Sequence, residues 1–189
     1  MRIKKIALLC TTGALLMNAV PCYAASQTMV SVSSSANNYA QIPDAETLKK
    51  DVGFEPKVPE MLAGGFKFSS GTITETYDGD VSSSAANKRM GISFKYTSDK
   101  DTAKTVSFSA EPYDGQSVKE NASVSTYGDI ELYYSTQYAN YLGWFQNDIY
   151  YSLMDVNRGI TKDEMTAMAK EIINMGTDAV NLSLIHISE

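Results

Sequence analysis

The sequence predicts an α+β domain: a curved antiparallel β-sheet (a meander) with a short N-terminal helix and a C-terminal helix packed on the sheet. Three observations predict it. Short runs alternating apolar and polar residues recur, separated by turn residues. No helical pattern lies between these runs, which argues against a parallel βαβ arrangement. One capped amphipathic helix follows the last run and needs an apolar surface to cover.

The short helix comes first. Pro43 and Asp44 start it, Glu46 lies in its first turn, Lys49 and Lys50 lie in its last, and Gly53 stops it. Leu48 and Val52, four apart, face the same way. Phe54–Leu62 holds Pro56 and Pro59, so it is expected to cross to the sheet as extended chain without regular structure.

The strands follow. Gly65–Ser69 alternates, and Thr72–Tyr77 continues it past Gly71, as one bent strand. Tyr77-Asp-Gly-Asp80 makes a turn and Val81–Asn87 a polar loop. Met90–Tyr96 puts Ile92, Phe94 and Tyr96 on one face, and Thr105–Ala110 does the same with Val106, Phe108 and Ala110. Ala122–Tyr127 and Ile130–Ser135 flank Gly128-Asp129. Tyr141–Phe145 and Ile149–Met154 flank Gln146-Asn-Asp148 as a hairpin.

The closing helix has the clearest local signal. In Thr161-Lys-Asp-Glu164 the Thr hydroxyl can accept from the third helical amide while Glu164 reaches back to the Thr161 amide. Met165, Met168, Ala169, Ile172 and Ile173 form one apolar stripe, and Gly176 is the stop.

The ends read differently. Residues 1–24 form an expected signal peptide: Arg2, Lys4 and Lys5, then the apolar run Ile6–Val20, then Cys22-Tyr23-Ala24 with small residues for a peptidase. That run is shorter than the ~20 residues of a permanent span. Lipid attachment at Cys22 is the rival reading, but Pro21 sits where a lipobox wants a small residue. The expected location is extracytoplasmic, secreted or associated with the cell surface, with no stable membrane span after cleavage. Residues 25–41, rich in Ser, Asn and Ala, are expected to be a flexible spacer. Residues 42–176 form the single domain, and 177–189 a tail. Leu182–Glu189 is identical to the translation of a common shotgun-sequencing transposon adapter, so these residues are expected to be artefact.

Processing removes both cysteines, Cys10 and Cys22, and loss of the adapter removes the one histidine, His186. Disulfides, thiol nucleophiles and His- or Cys-based zinc chemistry then have no residues to use. The processed chain carries 13 basic against 21 acidic residues, a net charge of −8, after loss of Arg2, Lys4, Lys5 and Glu189. Such a surface repels nucleic acid and anionic lipid. No cofactor and no metal are expected. Asp78-Gly-Asp80 with Ser82 and Ser84 faintly resembles a calcium loop. It lacks both the sixth-position glycine and the closing Glu, so a hydrated turn is the better reading. Asn121-Ala-Ser123 matches a glycosylation acceptor by chance.

Two groups are candidates for binding. Tyr133, Tyr138, Tyr141, Trp144 and Tyr150, with Tyr134, Phe145 and Tyr151 beside them, could form an aromatic platform for sugar or peptide. Strand alternation points Tyr133 and Tyr134, and Tyr150 and Tyr151, to opposite faces, so half should be core and half exposed. Met165 and Met168, with Met154, could line an adaptable groove between helix and sheet, although their spacing also suits plain core packing. Paired-carboxylate hydrolysis remains a lesser alternative, with no pair favoured by position.

The features occur in a recognisable order. Val-Gly-Phe-x-Pro-x-Val-Pro precedes Gly-Gly-Phe-x-Phe and the sheet; then come Gly-Trp-Phe-Gln-Asn-Asp-Ile-Tyr-Tyr and Glu-Met-x-x-Met-Ala-Lys-Glu-Ile-Ile. Roughly Asp44–Asn174 resembles an uncharacterised extracytoplasmic domain family of Gram-positive bacteria, found at the outer end of anti-sigma-factor-like membrane proteins and alone in secreted proteins. The resemblance implies a curved sheet with helices against it, loosely like lipoprotein-carrier domains, and supplies no catalytic residues. The function expected on these grounds is a non-enzymatic exported domain binding or sensing an envelope peptide, lipid or glycan. A structural or protein-interaction module without a small ligand is the alternative.

Overall fold

The computed structural model describes residues 30–77, 88–112 and 121–176, with the side chains of 30–37 and 77 excepted. The expected signal peptide at 1–24, the expected turn and polar loop at 78–87 and the expected tail from residue 177 lie outside the described residues.

The elements run β1 (Val30–Tyr39), α1 (Ala45–Val52), β2 (Met61–Leu62), β3 (Phe66–Tyr77), β4 (Lys88–Ser98) and β5 (Thr105–Pro112). They continue as β6 (Ser123–Tyr127), β7 (Ile130–Ser135), β8 (Asn140–Gln146), β9 (Ile149–Asp155) and α2 (Lys162–Asn174). Among the described residues nine strands form one sheet, in the order β1-β3-β4-β5-β9-β8-β7-β6, with β2 added beside β3. Every pairing is antiparallel. The sheet is thus two meandering runs. The second starts at the far edge with β6 and returns inward until β9 pairs with β5.

Apolar alternation sets one core face. Ile92, Phe94 and Tyr96 on β4 lie beside Val106, Phe108 and Ala110 on β5, all without solvent exposure. Phe66 and Phe68 are even-numbered whereas Ile73 is odd, so an unbroken β3 would place them on opposite faces. A register shift between Phe68 and Ser70 absorbs one residue and returns Gly71 and Ile73 to the core side. An added Cβ on Gly71 would lie 2.7 Å from the Phe94 ring, so glycine makes room for that ring.

Aromatic rings then run across the sheet in contact. Phe68 meets Phe94 and Tyr96 edge-on at 5.3 and 5.9 Å, and Tyr96 meets Phe108 at 6.4 Å. Tyr151 lies stacked between Phe108 at 6.1 Å and Trp144 at 5.5 Å. α2 covers this face with Met165, Met168, Ala169, Ile172 and Ile173, all buried.

Residues 30–39, expected to belong to the flexible spacer, instead form edge strand β1 on β3. Backbone hydrogen bonding asks little of side-chain polarity at an edge. The strand's last residue, Tyr39, is anchored by its ring 5.9 Å from Phe94 and by a hydroxyl hydrogen bond to Asp51.

Both predicted caps form. Asp44 accepts from the Thr47 amide at 2.8 Å, and Gly53 closes α1 with φ of 83°. At α2, Thr161 Oγ1 accepts from the Glu164 amide at 3.3 Å and the Thr161 amide donates to Glu164 at 2.7 Å. The Thr161 amide and the Thr161 hydroxyl, which donates to the same carboxylate oxygen at 2.8 Å, hold the Glu164 carboxyl below its ordinary range, with Lys104 adding to the effect. A depressed carboxyl pKa contributes stability that is complete above the unfolded value and lost as pH falls through the folded one. Thr161→Ala should therefore cost about 1 kcal/mol at neutral pH. The penalty should shrink once Glu164 is protonated, as urea melts at neutral and acid pH would show.

Candidate binding cleft

A cleft opens at one end of the sheet–helix interface, where the start of α1, the crossing at 55–58, the tip of the β8–β9 hairpin and the end of α2 meet. It holds about 530 Å³. Pro43, Leu48, Pro56, Val58, Ile149 and Met175 give it an apolar wall; Glu55, Lys57, Asn147 and Tyr151 supply polar groups.

Two core tyrosines fix the crossing that forms one side. Tyr96 Oη donates to the Pro59 carbonyl at 2.7 Å, and the Lys57 amide donates to Tyr151 Oη at 3.2 Å. Burial raises the pKa of both hydroxyls, most simply because a phenolate has no water there. The prolines keep the chain extended between these two points, and Lys57 projects toward α2. Its Nζ donates to the Ile173 carbonyl at 2.7 Å, a helix end that favours a cation. Gln146 Nε2 donates to the same carbonyl at 3.2 Å. Burial lowers the Lys57 pKa. Glu55 Oε2 lies 3.8 Å from Lys49, and no described carboxylate lies within ion-pair distance of Lys57.

The residues singled out from sequence are spread over three places. Trp144, Met165 and Met168 lie inside, beneath α2, with 0% exposure. The methionine groove is filled by its own side chains, and a ligand reaching it would have to displace the helix. Tyr138 stands in the β7–β8 loop, 85% exposed and apart from the rest. Its nearest polar partner is Gln137, at 3.2 Å.

Tyr133, Tyr141 and Tyr150 lie on the face away from α2. Alternation does send Tyr150 and Tyr151 to opposite faces, but the outward member is not exposed. Tyr133 and Tyr150 are 3% and 5% exposed because they cover one another with Phe145. Phe145 lies 4.6 Å from Tyr150 and 6.4 Å from Tyr133, and the Tyr141 and Tyr150 hydroxyls are 2.8 Å apart. Tyr133 also hydrogen-bonds Glu131.

Gly143 is the floor that lets Tyr150 lie flat. An added Cβ there would fall inside contact distance of the Tyr150 hydroxyl and 2.7 Å from its Cζ. Gly143→Ala should cost about 1–3 kcal/mol by overpacking. Combined with Tyr150→Leu, the loss should be clearly less than additive in denaturant melts.

Sequence reasoning missed Lys57, read only as part of an extended crossing. The signal was a lone lysine between two prolines, Pro56 and Pro59. It also missed Asp155, a buried carboxylate at the end of β9. Among the described residues, no group of three or more His, Cys, Asp or Glu side chains is placed to hold a metal. No described helix is long and apolar enough to cross a membrane. No family model, no curated protein and no solved structure matches the chain.

Proposed function

We propose that this is an extracytoplasmic, non-enzymatic binding domain that holds an apolar envelope component, peptide or lipid, in the end cleft. The observation that carries it is the cleft itself: about 530 Å³ with an apolar wall, beside a partly desolvated lysine. The leader at residues 1–24 supports the compartment, and the order of motifs from Asp44 to Asn174 supports the kinship with extracytoplasmic domains. Catalysis by paired carboxylates would need two acids facing each other. Glu55 is the one acid among the described residues lining the cleft. The sealed interior beneath α2 favours a second reading, a structural or protein-interaction module, in which the cleft has no ligand.

Trp144 fluorescence separates the two. Tyr151 lines the cleft and stacks on Trp144 with rings 12° from parallel, so an occupant pressing on Tyr151 should shift the emission. Wall fragments, apolar peptides and lipid micelles are titrated into the folded protein. A saturable shift with a peptide or lipid is the expected result. Silence with all three overturns the binding reading in favour of the ligand-free module.

A further inference from the structure

We infer that the cleft captures the carboxyl-terminal end of an apolar peptide, whose free carboxylate is held by Lys57 and Tyr151. This rests on the reading of the cleft as a binding site and names the chemistry it would take.

Lys57 and Tyr151 keep donor capacity at the cleft that the described hydrogen bonds do not use. A lysine ammonium has three N–H groups, and Lys57 places one on the Ile173 carbonyl. That contact holds the amine in place, while no described carboxylate neutralises it. Tyr151 Oη already accepts from the Lys57 amide, so its own O–H is left to donate. The two donors are tied together, since one residue provides both the ammonium and the amide that fixes the hydroxyl. A carboxylate takes two such donors at once.

The buried amide beside them favours a peptide over a fatty acid. Gln146 shares the Ile173 carbonyl with Lys57, yet its Oε1 is buried without a partner. Buried acceptors without partners are uncommon and carry a free-energy cost. Gln146 pairs across the hairpin with Ile149, which lines the cleft, so its amide lies one ladder position behind the lining residues. A peptide brings backbone N–H groups that reach it once the Gln146 side chain turns outward; an acyl chain brings none. Leu48, Val58, Ile149 and Met175 would then receive the final side chains.

The test uses the full chain and a pool of acetylated tetrapeptides ending in Leu or Phe, prepared as free acids and as carboxamides. Trp144 emission and calorimetry give the affinities. The acid should bind at least about tenfold more tightly than the amide, the scale of a hydrogen bond to a charged group. Lys57→Met should abolish that preference, so that acid and amide bind alike, and Lys57→Arg should restore part of it. If Lys57→Met melts early, Tyr151→Phe serves instead and should reduce the same preference. Equal binding of acid and amide overturns the inference and leaves the cleft as a binding site. Dodecanoate binding more tightly than any peptide acid overturns the choice of a peptide. If neither peptides nor dodecanoate bind, both this inference and the reading it rests on fail.

Discussion

Asp155→Ala is expected to lower stability by about 3 kcal/mol, because it strips the acceptor from a buried turn. Asp155 is 1% exposed at the end of β9. Its Oδ2 accepts from the Ile160 amide at 2.6 Å and its Oδ1 from the Asn157 amide at 3.0 Å. Asn140, paired with Asp155 across the ladder, donates to the Ile160 carbonyl at 2.9 Å. Together they fold the chain back so that Thr161 begins α2 over the sheet. Alanine leaves the Ile160 N–H buried and unmet, while asparagine keeps one acceptor. Asp155→Asn should therefore cost less than Asp155→Ala in urea melts. Equal costs would show that shape rather than hydrogen bonding matters there.

Trp144→Ala should cost about 3–5 kcal/mol, the range for removing a large buried aromatic. Trp144 fills the space between Tyr151, stacked on it, and α2. Removing it leaves a cavity in the core between the sheet and α2. Trp144→Phe should be milder than its lost volume suggests. The indole Nε1 is buried without a hydrogen-bond partner, and phenylalanine removes that unmet donor along with the second ring. Calorimetric melts of the two variants give the comparison. A Phe variant as unstable as the Ala variant would contradict it.

The apolar alternation of β4 and β5, the hairpin between Tyr141–Phe145 and Ile149–Met154 and both helix caps were legible in the sequence because each depends on neighbours a few residues away; the structure extends β8 through Gln146 and leaves a two-residue turn. Asn147 and Asp148 both take positive φ, at 54° and 61°, as a tight hairpin requires. What escaped the sequence depends on distant partners. The pairing of β5 with β9 brings Ala110 opposite Tyr151, and no local pattern announces it. β1 escaped because its Ser and Asn residues carry no apolar signal, yet an edge strand is held by its backbone. The outward tyrosines were expected in solvent because alternation gives direction only. It does not show that Tyr133, Phe145 and Tyr150 cover each other over Gly143. The cleft escaped for the same reason, since Lys57, Gln146 and the end of α2 meet only in three dimensions.

Acrylamide quenching of the one tryptophan tests the central claim most directly, because that residue lies under the helix and behind the cleft wall. If α2 seals the sheet, Trp144 emission in the folded protein should be blue-shifted and nearly insensitive to acrylamide, becoming fully quenchable only when urea unfolds the chain. Quenching of the native protein as efficient as that of the unfolded one would mean that the helix does not cover the sheet.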